Sequence, residues 1–544
     1  MASSDIVFLH APTVYDFRKK PIFYGPVSDV VPSSPVFEMY PLGFMTMSSH
    51  LEEAGFRTRI VNLAVQMLQN DKFDVEKRIR SLDADVYAID LHWLPHAHGS
   101  LEIAKIVKKY HPDSIVEFGG FSSSYFCDEL IRRPEVDMVM RGDSTEMMRT
   151  LESGGDLSLV PNLSWKDKDG RVRKNPLSYV PDTIDDVKFD YGTMIKNVLR
   201  HRDLKGALPW LGWDKNPLTS VFTVRGCGLN CAECGGSHSA NKRLLCRNKP
   251  AFRSPEKLVE DICAIQDYLK SPIFIIGDLR QGGNDYASRF FSEARRQGVK
   301  NHLGMEIFLP AGNEFFSEME RSIGEYTMEF SPDSHDENVR KAMGKNYDNA
   351  SIEKTLRSAF DNGCQRFDLF YMTGLPEQTR ESAIYSASAS KRLWEVTGPE
   401  APLFIYNAPF APFVDPGSRI FEEPEKWGYR LFARTLEEHR VLLDNPSWKQ
   451  VLSYETVWMD RDAIAEVSYD AAQVLTETEF SIGRIDKEMY DARSERTEMA
   501  RTLMHRIDDI MRISDLTERE AKLWEVKADG ERVMLSTVCN KKDL

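Results

Sequence analysis

The chain is poor in cysteine and has no surplus of positive charge. Eight cysteines occur among 544 residues, and five of them are scattered: Cys127, Cys246, Cys263, Cys364 and Cys539. A disulfide framework is therefore not predicted. Lysine and arginine number 70 against 84 acidic residues, which gives a formal net charge of -14. Because binding to the nucleic-acid backbone depends on clustered Lys and Arg, a nucleic-acid partner is not expected.

The sequence also has no apolar run long enough to cross a bilayer. The first residues, "MASSDIVFLHAPTVYDF", do not combine a basic segment with an apolar one as a secretion signal does. We therefore expect no membrane insertion and a cytoplasmic location. The composition is 42% hydrophobic and 28% charged, and a chain of this length is typical of about three globular domains.

Residues 1–150 alternate short β-like runs with amphipathic helical stretches. The β-like runs include "DIVFLHAP", "ADVYAIDLHW", "SIVEFGG" and "VDMVMRGD". This alternation predicts an α/β fold with a Rossmann-like parallel sheet covered by helices. The loops that follow three of the strands, His92–Gly99, Gly119–Ser124 and Arg141–Glu146, should converge on one crevice at the carboxyl edge of the sheet.

The rest of the chain divides into three parts. Residues 151–215 are polar and rich in Pro, Asp, Lys and Gly, which predicts a linker with one hairpin at Lys168–Gly170. In residues 216–422, six strand-like runs with intervening helices predict a partial (β/α)6 barrel of the TIM type, with functional groups at the strand carboxyl ends. Residues 423–544 are charged and predict a mostly helical C-terminal domain that closes on a small hairpin.

Three cysteines lie within eight residues in "RGCGLNCAECGG", at Cys227, Cys231 and Cys234. A structural zinc site needs four ligands, and the nearest further candidates are His238 and Cys246, so a zinc knuckle matches the spacing poorly. A 4Fe-4S cluster held by three thiolates instead leaves one iron without a protein ligand. A substrate or cofactor can bind that iron, which makes the site reactive rather than structural.

This three-cysteine spacing, in the loop after the strand "SVFTV", resembles the signature of the radical S-adenosylmethionine (SAM) enzymes. The resemblance implies that Cys227, Cys231 and Cys234 hold a 4Fe-4S cluster. SAM would chelate the fourth iron, and reduction by an external donor such as flavodoxin or ferredoxin would release a 5'-deoxyadenosyl radical.

Further motifs in the barrel resemble turns that follow the strands in that family. Gly277-Asp278 resembles its Gly-Gly-Glu turn, and "MEFSPDS" its Glu-x-Ser turn. "MTGLPEQT" and "FAPFVDPGS" resemble the turns after its fifth and sixth strands. The SAM-binding residues implied are Gly277, Asp278, Glu306, Glu329 and Ser331. The sequence departs from the family at Glu233, where an aromatic residue is common, and at Gln378 in the "GLPEQT" turn.

The N-terminal segment resembles the cobalamin-binding domain that precedes the barrel in one class of these enzymes. The matching stretches are "PLGFMTMSSHLEEAGF", "GGFSSSY" and "MRGDSTE". Small residues there would let the backbone approach a bulky macrocycle, whereas no G-x-G-x-x-G follows the first strand to favour a dinucleotide. The cobalamin-binding residues implied are His92, His96, His98, Gly119, Gly120, Phe121, Ser122, Ser123, Arg141 and Gly142.

The lower axial ligand of cobalt stays open at this point. In the Asp-x-His-x-x-Gly motif of other cobalamin proteins, a histidine binds cobalt, but here Pro95 occupies the glycine position. The ligand could be water, no group at all, or one of His92, His96 and His98.

Together the resemblances imply a cobalamin-dependent radical SAM C-methyltransferase. In such enzymes the 5'-deoxyadenosyl radical abstracts a hydrogen from an unactivated carbon, and methylcobalamin methylates that carbon. The substrate would be a protein or peptide residue, as in methyl-coenzyme M reductase, or a small molecule, with Tyr406 and Asn407 as candidates for the cavity wall. The alternatives are a cyclase or lipid-modifying enzyme of the same architecture, and a zinc-bound binding module.

Overall fold

The structure is a computed structural model that describes residues 4–22, 38–143, 156–409 and 412–537. Cys539 and Glu146 lie outside these residues. In the described part, the chain forms a seven-stranded and a six-stranded sheet, together with two small two-stranded sheets. Within the same residues, the search for a helix of membrane-spanning length and apolarity finds none.

The first sheet has the strand order β2-β1-β3-β4-β5-β6-β7, and β1 to β5 run parallel. The order reverses between β1 and β3, and such a reversal opens a crevice at the carboxyl edge of the sheet. The strands are β1 Ser4–His10, β2 Thr58–Asn62, β3 Ala84–Asp90, β4 Ile115–Gly119, β5 Met138–Met140, β6 Leu163–Lys166 and β7 Val172–Lys174. The helices in this part are α1 Leu42–Glu53, α2 Leu63–Gln69, α3 Val75–Arg80, α4 Ala97–Tyr110, α5 Phe121–Tyr125 and α6 Cys127–Leu130.

The interval expected to be a linker is folded onto the first sheet. β6 and β7 form the hairpin predicted at Lys168–Gly170, and β6 pairs antiparallel with β5. Helices α7 Tyr191–His201 and α8 Leu204–Ala207 follow. In α7, Asn197 Nδ2 donates to Thr58 Oγ1 on β2 at 3.0 Å. The polar composition hid this packing because β7 is an exposed edge strand and needs no apolar face.

The second sheet has the order β15-β14-β13-β12-β11-β8, with all strands parallel, as a partial β/α barrel requires. Its strands are β8 Thr219–Phe222, β11 Ile273–Ile276, β12 Leu303–Ile307, β13 Tyr326–Asp333, β14 Arg366–Thr373 and β15 Leu403–Pro409. A small antiparallel pair joins β9 Val224–Arg225 to β10 Ala251–Phe252. The helices are α9 His238–Leu245, α10 Pro255–Gln266, α11 Asn284–Gln297, α12 Asn313–Ser322, α13 Glu337–Ala342, α14 Asn349–Asp361 and α15 Arg380–Thr397.

Along the barrel strands, buried residues on one face alternate with half-buried residues on the other. In β14, Phe367, Leu369 and Tyr371 are buried, whereas Asp368 and Phe370 between them are only half-buried. The buried residues face the helices, because the Tyr371 hydroxyl lies 2.8 Å from His335 Nδ1, beside α15. The half-buried side chains face the interior of the barrel, here called the lumen, which protein side chains therefore do not fill.

The C-terminal residues are mostly helical and pack on helix α4 and on strands β14 and β15. They form α16 Arg419–Glu422, α17 Leu436–Leu442, α18 Trp448–Val451, α19 Arg461–Ser481, α20 Lys487–Met511 and α21 Leu516–Thr537, with β16 Tyr429–Leu431 paired to β17 Tyr454–Thr456. Short 3-10 turns elsewhere cover Phe17–Lys19, Leu94–His96, Leu157–Leu159, Leu279–Gly282 and Pro424–Trp427.

The expectation of a closing hairpin is wrong, because α21 occupies that stretch up to Thr537. Leu523 and Val526 of α21 are buried against Leu503 and Ile507 of α20, at the spacing of a helix face. At the other side, Ser468 of α19 shares a 2.6 Å hydrogen bond with Thr373 of β14. The C-terminal helices thus brace the outside of the barrel.

Candidate functional site

The three clustered cysteines lie on one tight loop, residues 226–236, here called the cluster loop. The loop begins at Gly226, whose φ of 91° favours glycine. The Leu229 N–H donates to Cys227 Sγ at 3.3 Å, and the His238 N–H donates back to the Leu229 carbonyl at 2.8 Å. Backbone hydrogen bonds therefore fold the loop on itself and bring the three thiols to the carboxyl edge of the second sheet.

The surroundings of these thiols favour their neutral form when no metal is bound. Burial raises the pKa of Cys231 to about 12 and raises the pKa of Cys234 well above that of an ordinary thiol. Burial also raises the pKa of Cys227. Because metal coordination deprotonates a thiol outright, a cationic iron–sulfur cluster is the kind of group that would turn these residues into thiolates.

The spacing of the ligand atoms separates a zinc knuckle from a cluster. Tetrahedral zinc with Zn–S bonds of about 2.3 Å draws its sulfurs to within about 4 Å of one another. Among the described residues, none of the cysteines belongs to a group of three potential ligand atoms that all lie within 4.8 Å. Thiolates that bind different irons of one cluster need a wider spacing. The donor set on this loop therefore fits a 4Fe-4S cluster better than it fits zinc.

Glu233, the departure from the family pattern, is buried beside the third cysteine. Glu233 is only 7% exposed, and its Oε2 has no hydrogen-bond partner within the part of the chain that the structure describes. Burial raises the pKa of Glu233 to about 8, helped by Asp333 and opposed by Lys345. Lys345 itself is 2.8 Å from Asp333. Glu233 therefore gives the cluster loop a carboxyl group where the family commonly has a stacking aromatic ring.

Two of the carboxylates expected to bind SAM stand side by side in the lumen. Glu306 on β12 is in register with Glu329 on β13, and Asp368 on β14 continues the row. Burial is the main reason that the pKa values of Glu306 and Glu329 rise to about 7, and nearby carboxylates add to both shifts. Glu306 also accepts a hydrogen bond of 2.5 Å from the Gly277 N–H. Glu306, Glu329 and Gly277 therefore form one polar wall.

The remaining SAM candidates differ in how far their polar atoms are engaged. Asp278 is buried, and its carboxylate accepts from Arg280 at 2.6 Å and from the Phe308 N–H at 3.0 Å. It therefore holds the turn after β11 in shape. Ser331 follows Glu329 on the lumen side of β13 and is half-buried, with its carbonyl accepting from Lys345 Nζ at 2.6 Å.

Tyr406 and Asn407 are adjacent on β15 and face opposite sides. The Tyr406 ring stacks on Phe370 with 5.1 Å between centroids, in the lumen. Asn407 is in register with Tyr371, so it faces the helices, and its buried amide atoms have no partner among the described residues. Consecutive strand residues cannot share a face, and this alternation could have separated the two from the sequence.

Arg366 is a lumen residue that the motifs did not indicate. Its guanidinium donates to the Tyr406 hydroxyl at 2.9 Å and pairs with Asp368 at 2.9 Å. It also lies 4.5 Å from the centroid of the Phe404 ring, in a cation–π contact. The lumen thus carries the Arg366 guanidinium and the aromatic rings of Phe370, Phe404 and Tyr406 beside the row of carboxylates.

At the carboxyl edge of the first sheet, the Gly119-Gly120 turn borders an open crevice. Gly120 has φ 112°, and a Cβ there would lie 2.4 Å from the Cα of His92, so the loops after β3 and β4 touch. A Cβ on Gly119 would meet nothing within 4 Å. Ser122 and Ser123 are buried behind the turn. A bulky flat ligand could therefore lie against Gly119, as the cobalamin expectation requires.

The histidines expected near cobalt occupy three different environments. His92 is partly exposed at the crevice, with its side chain at 26%. His96 is buried, with Nδ1 3.2 Å from the Ala11 carbonyl. His98 points elsewhere, since its Nδ1 accepts from the Tyr15 N–H at 3.2 Å and its Nε2 lies 3.3 Å from Lys20. Only His92 presents its ring to the crevice.

Asp90 orients His92, and His10 in turn holds Asp90. The His92 Nδ1–H donates to Asp90 at 2.6 Å, and His10 Nδ1 lies 3.1 Å from the same carboxylate. Burial alone would raise the pKa of Asp90, but His10 and His92 hold it well below its usual range. The motifs did not indicate His10, although its place at the end of β1 could have suggested it by the strand-end rule.

Arg141 and Gly142 support the crevice from the side. Arg141 Nε donates to the Asn162 carbonyl at 3.2 Å and ties the end of β5 to the β6 hairpin. The Gly142 N–H donates to Ser124 Oγ at 2.9 Å. These contacts fix the turn after β5 against the α5 turn. The rest of that loop, up to Glu146, lies outside the described residues.

The two carboxyl edges face each other. The Phe121 ring, next to Gly120, lies 3.1 Å from the position that a Cβ on Gly235 would take. Gly235 directly follows Cys234. The crevice of the first sheet and the cluster loop of the second are therefore parts of one composite site.

Comparison with known proteins agrees with this architecture. A family model described as the B12 binding domain matches residues 29–152. No curated protein matches the chain.

Among solved structures, the radical SAM methyltransferase TsrM from Kitasatospora setae, with tryptophan substrate and a SAM analog bound, superposes with a TM-score of 0.60. The alignment has 13% identity and covers 98% of this chain and 99% of TsrM. The TsrM structure with cobalamin and a [4Fe-4S] cluster gives 0.59 at 13% identity over 92% of this chain and 99% of TsrM. The cobalamin-dependent SAM radical enzyme OxsB, with aqua-cobalamin and SAM bound, superposes with a TM-score of 0.57. The alignment has 12% identity and covers 99% of this chain and 80% of OxsB. The resemblance seen in the sequence is thus confirmed at the level of the fold.

Proposed function

We propose that this chain, which joins a B12-binding domain to the fold of the cobalamin-dependent radical SAM enzymes, is itself a cobalamin-dependent radical SAM C-methyltransferase. One observation carries the proposal: the three-thiol loop and the glycine-lined crevice meet at Phe121 and Gly235. A radical source and a methyl carrier must both reach one substrate carbon, and this contact supports the proposal because it joins the loop and the crevice that we assign to them.

In this proposal the cluster loop binds a 4Fe-4S cluster through Cys227, Cys231 and Cys234. Bound SAM and methylcobalamin supply the radical and the methyl group. Glu306, Glu329, Gly277 and Ser331 line the SAM site with polar atoms, and the turn at Asp278 keeps that wall in shape.

Gly119 would admit the corrin ring to the crevice, and Gly120 lets the loops after β3 and β4 pack closely together beside it. Of the three histidines considered, His92 is the one that would bind the cobalt of a bound cobalamin, because Asp90 orients it at the crevice. A histidine that binds a metal usually donates its other ring N–H to such a carboxylate.

The substrate would enter the lumen beside Tyr406, Arg366 and Phe370. The tryptophan bound in TsrM supports a small molecule with an aromatic or charged part. A residue of a protein, as expected by analogy with methyl-coenzyme M reductase, is the other class to test. We also propose an external electron donor such as flavodoxin or ferredoxin. The free thiols of the described residues and an oxygen-labile cluster suit a reducing, cytoplasmic setting.

The test is anaerobic reconstitution of the full chain with iron, sulfide and cobalamin, followed by SAM, reductant and candidate substrates. Methyl transfer produces 5'-deoxyadenosine and S-adenosylhomocysteine together, whereas cyclisation produces only the first. A preparation that binds zinc but neither iron nor cobalamin would support the binding module instead. The control is the variant with Cys227, Cys231 and Cys234 all replaced by Ala, which should still bind cobalamin but release no 5'-deoxyadenosine.

A further inference from the structure

The start of the cluster loop is fixed by a buried carboxylate of the first sheet. Asp143, after β5, has a side chain only 2% exposed. It forms ion pairs with Arg225, two residues before Cys227, and with Arg247 at 2.6 Å. Arg247 is equally buried and packs on Gly226, where a Cβ would lie 2.8 Å from its Cδ. Through Asp143, the segment that follows β5 of the first sheet therefore holds the loop in place immediately before Cys227.

The end of the same loop is fixed by a second carboxylate, Asp415, which follows β15. Asp415 Oδ2 accepts from the Gly235 N–H at 3.0 Å, and Oδ1 accepts from Trp93 Nε1 at 3.3 Å. Gly235 follows Cys234, and Trp93 follows His92. One carboxylate thus ties the residue after the last cysteine to the residue after the histidine at the crevice.

These two contacts leave the loop little freedom to move against the crevice. Asp143 is buried and Asp415 is partly buried, and in such surroundings hydrogen bonds and ion pairs are stronger than in water. They lie at opposite ends of the cluster loop, so together they fix its orientation as well as its position. Neither carboxylate belongs to the sets expected to touch the cluster, SAM or cobalamin.

We propose that Asp143 and Asp415 are positioning residues that set the separation between the 4Fe-4S cluster and cobalamin. This rests on the proposed function. Loss of either carboxylate should leave each cofactor bound but let the separation vary. Because radical formation needs only the cluster and SAM, whereas methyl transfer needs cobalamin correctly placed, the first should survive when the second fails.

The test measures the separation directly in the reconstituted full chain. Pulsed EPR on the reduced cluster and cob(II)alamin should give one narrow distance distribution for the natural protein. In Asp143→Asn and Asp415→Asn, we expect it to broaden or shift by about 1 Å or more, a displacement large enough to slow catalysis on the order of 100-fold. Iron and cobalamin contents should stay unchanged, while 5'-deoxyadenosine formed per methyl transferred rises on the order of tenfold or more.

Two further variants serve as a control and as an alternative to the aspartate variants. Asp203→Asn removes another carboxylate that pairs with two arginines, Arg59 and Arg78, away from the cluster loop, and it should leave the distance unchanged. Trp93→Phe deletes a single N–H donor and serves if the aspartate variants fail to fold.

An unchanged distribution and product ratio in Asp143→Asn and Asp415→Asn, or in Trp93→Phe if neither aspartate variant folds, would overturn the positioning role. A natural protein that binds no cluster or no cobalamin would instead overturn the proposed function. The two failures are therefore distinguishable.

Discussion

Adding one methyl group at Gly120 should destabilise the protein before any cofactor binds. Gly120 has φ 112° and ψ 176°, a region essentially restricted to glycine, where another residue costs about 1–3 kcal/mol. The new Cβ would also lie 2.4 Å from His92 Cα and 2.6 Å from His92 N. These are backbone atoms, so no side-chain rotation relieves the clash, and overpacking adds about 1–3 kcal/mol.

For Gly120→Ala, these terms sum to about 2–6 kcal/mol of lost stability. In a unit of 150–250 residues, each kcal/mol lowers the unfolding midpoint by about 2–4 °C. We therefore expect the first thermal transition of the apoprotein to fall by roughly 4–24 °C. Displacement of His92 should weaken cobalamin binding as well.

The neighbouring substitution Gly119→Ala provides the matched control. Its Cβ would meet nothing within 4 Å, so the apoprotein should unfold within about 1 kcal/mol of the natural protein. The same methyl group would enter the space assigned to the corrin ring. A clash of about 1–3 kcal/mol there weakens cobalamin binding by about 5- to 150-fold.

Circular dichroism melts of the two apoproteins and absorbance titrations with hydroxocobalamin measure both effects. If Gly120→Ala melts with the natural protein, the assigned backbone conformation is wrong. If Gly119→Ala binds cobalamin with undiminished affinity, Gly119 does not line the crevice.

Three further outcomes follow from the site. The cob(II)alamin EPR signal should show nitrogen splitting that 15N-histidine labelling assigns to a histidine. The splitting should disappear in His92→Ala and remain in His98→Ala. If it persists in His92→Ala, His92 does not bind the cobalt. In Cys231→Ala, cluster iron should be lost while cobalamin binding persists, measured by iron and cobalt analysis, and retained iron would contradict the ligand set. Because the pKa of Glu329 rises from 4.5 to about 7, the folded state binds its proton more tightly than the unfolded state. Apoprotein stability should therefore fall as pH rises between these values, and Glu329→Gln should reduce that fall in melts at each pH.

Much of the fold was predictable because its signals are local. The runs "DIVFLHAP" and "SIVEFGG" correspond to strands β1 and β4, and "SVFTV" overlaps β8 before the cluster loop. Patterns of this kind depend on the backbone period and on apolar burial, which a short window of sequence records. The strands in the interval 151–215 were harder to predict, because a strand at an exposed edge does not need the apolar pattern that marks a core strand.

The candidate site shows the same division. The three cysteines lie on one turn, so their spacing alone brought them together and indicated their chemistry. His10 and Arg366 carry no motif, and the "FAPFVDPGS" motif did not indicate a role for Asp415; each of the three gains its role from a partner far away along the chain. Asn407 turned out to face the helices because its register partner Tyr371 does.

The sequence by itself determined most strands and helices of the two parallel sheets and the clustering of Cys227, Cys231 and Cys234, since these depend on residues close together in the chain. Only the tertiary structure decided which histidine faces the crevice, which lumen residues meet, and how Asp143 and Asp415 join the two carboxyl edges. The physical reason is that buried hydrogen bonds and ion pairs form between whichever groups the packing of distant elements brings within about 3 Å, and no local pattern records that packing.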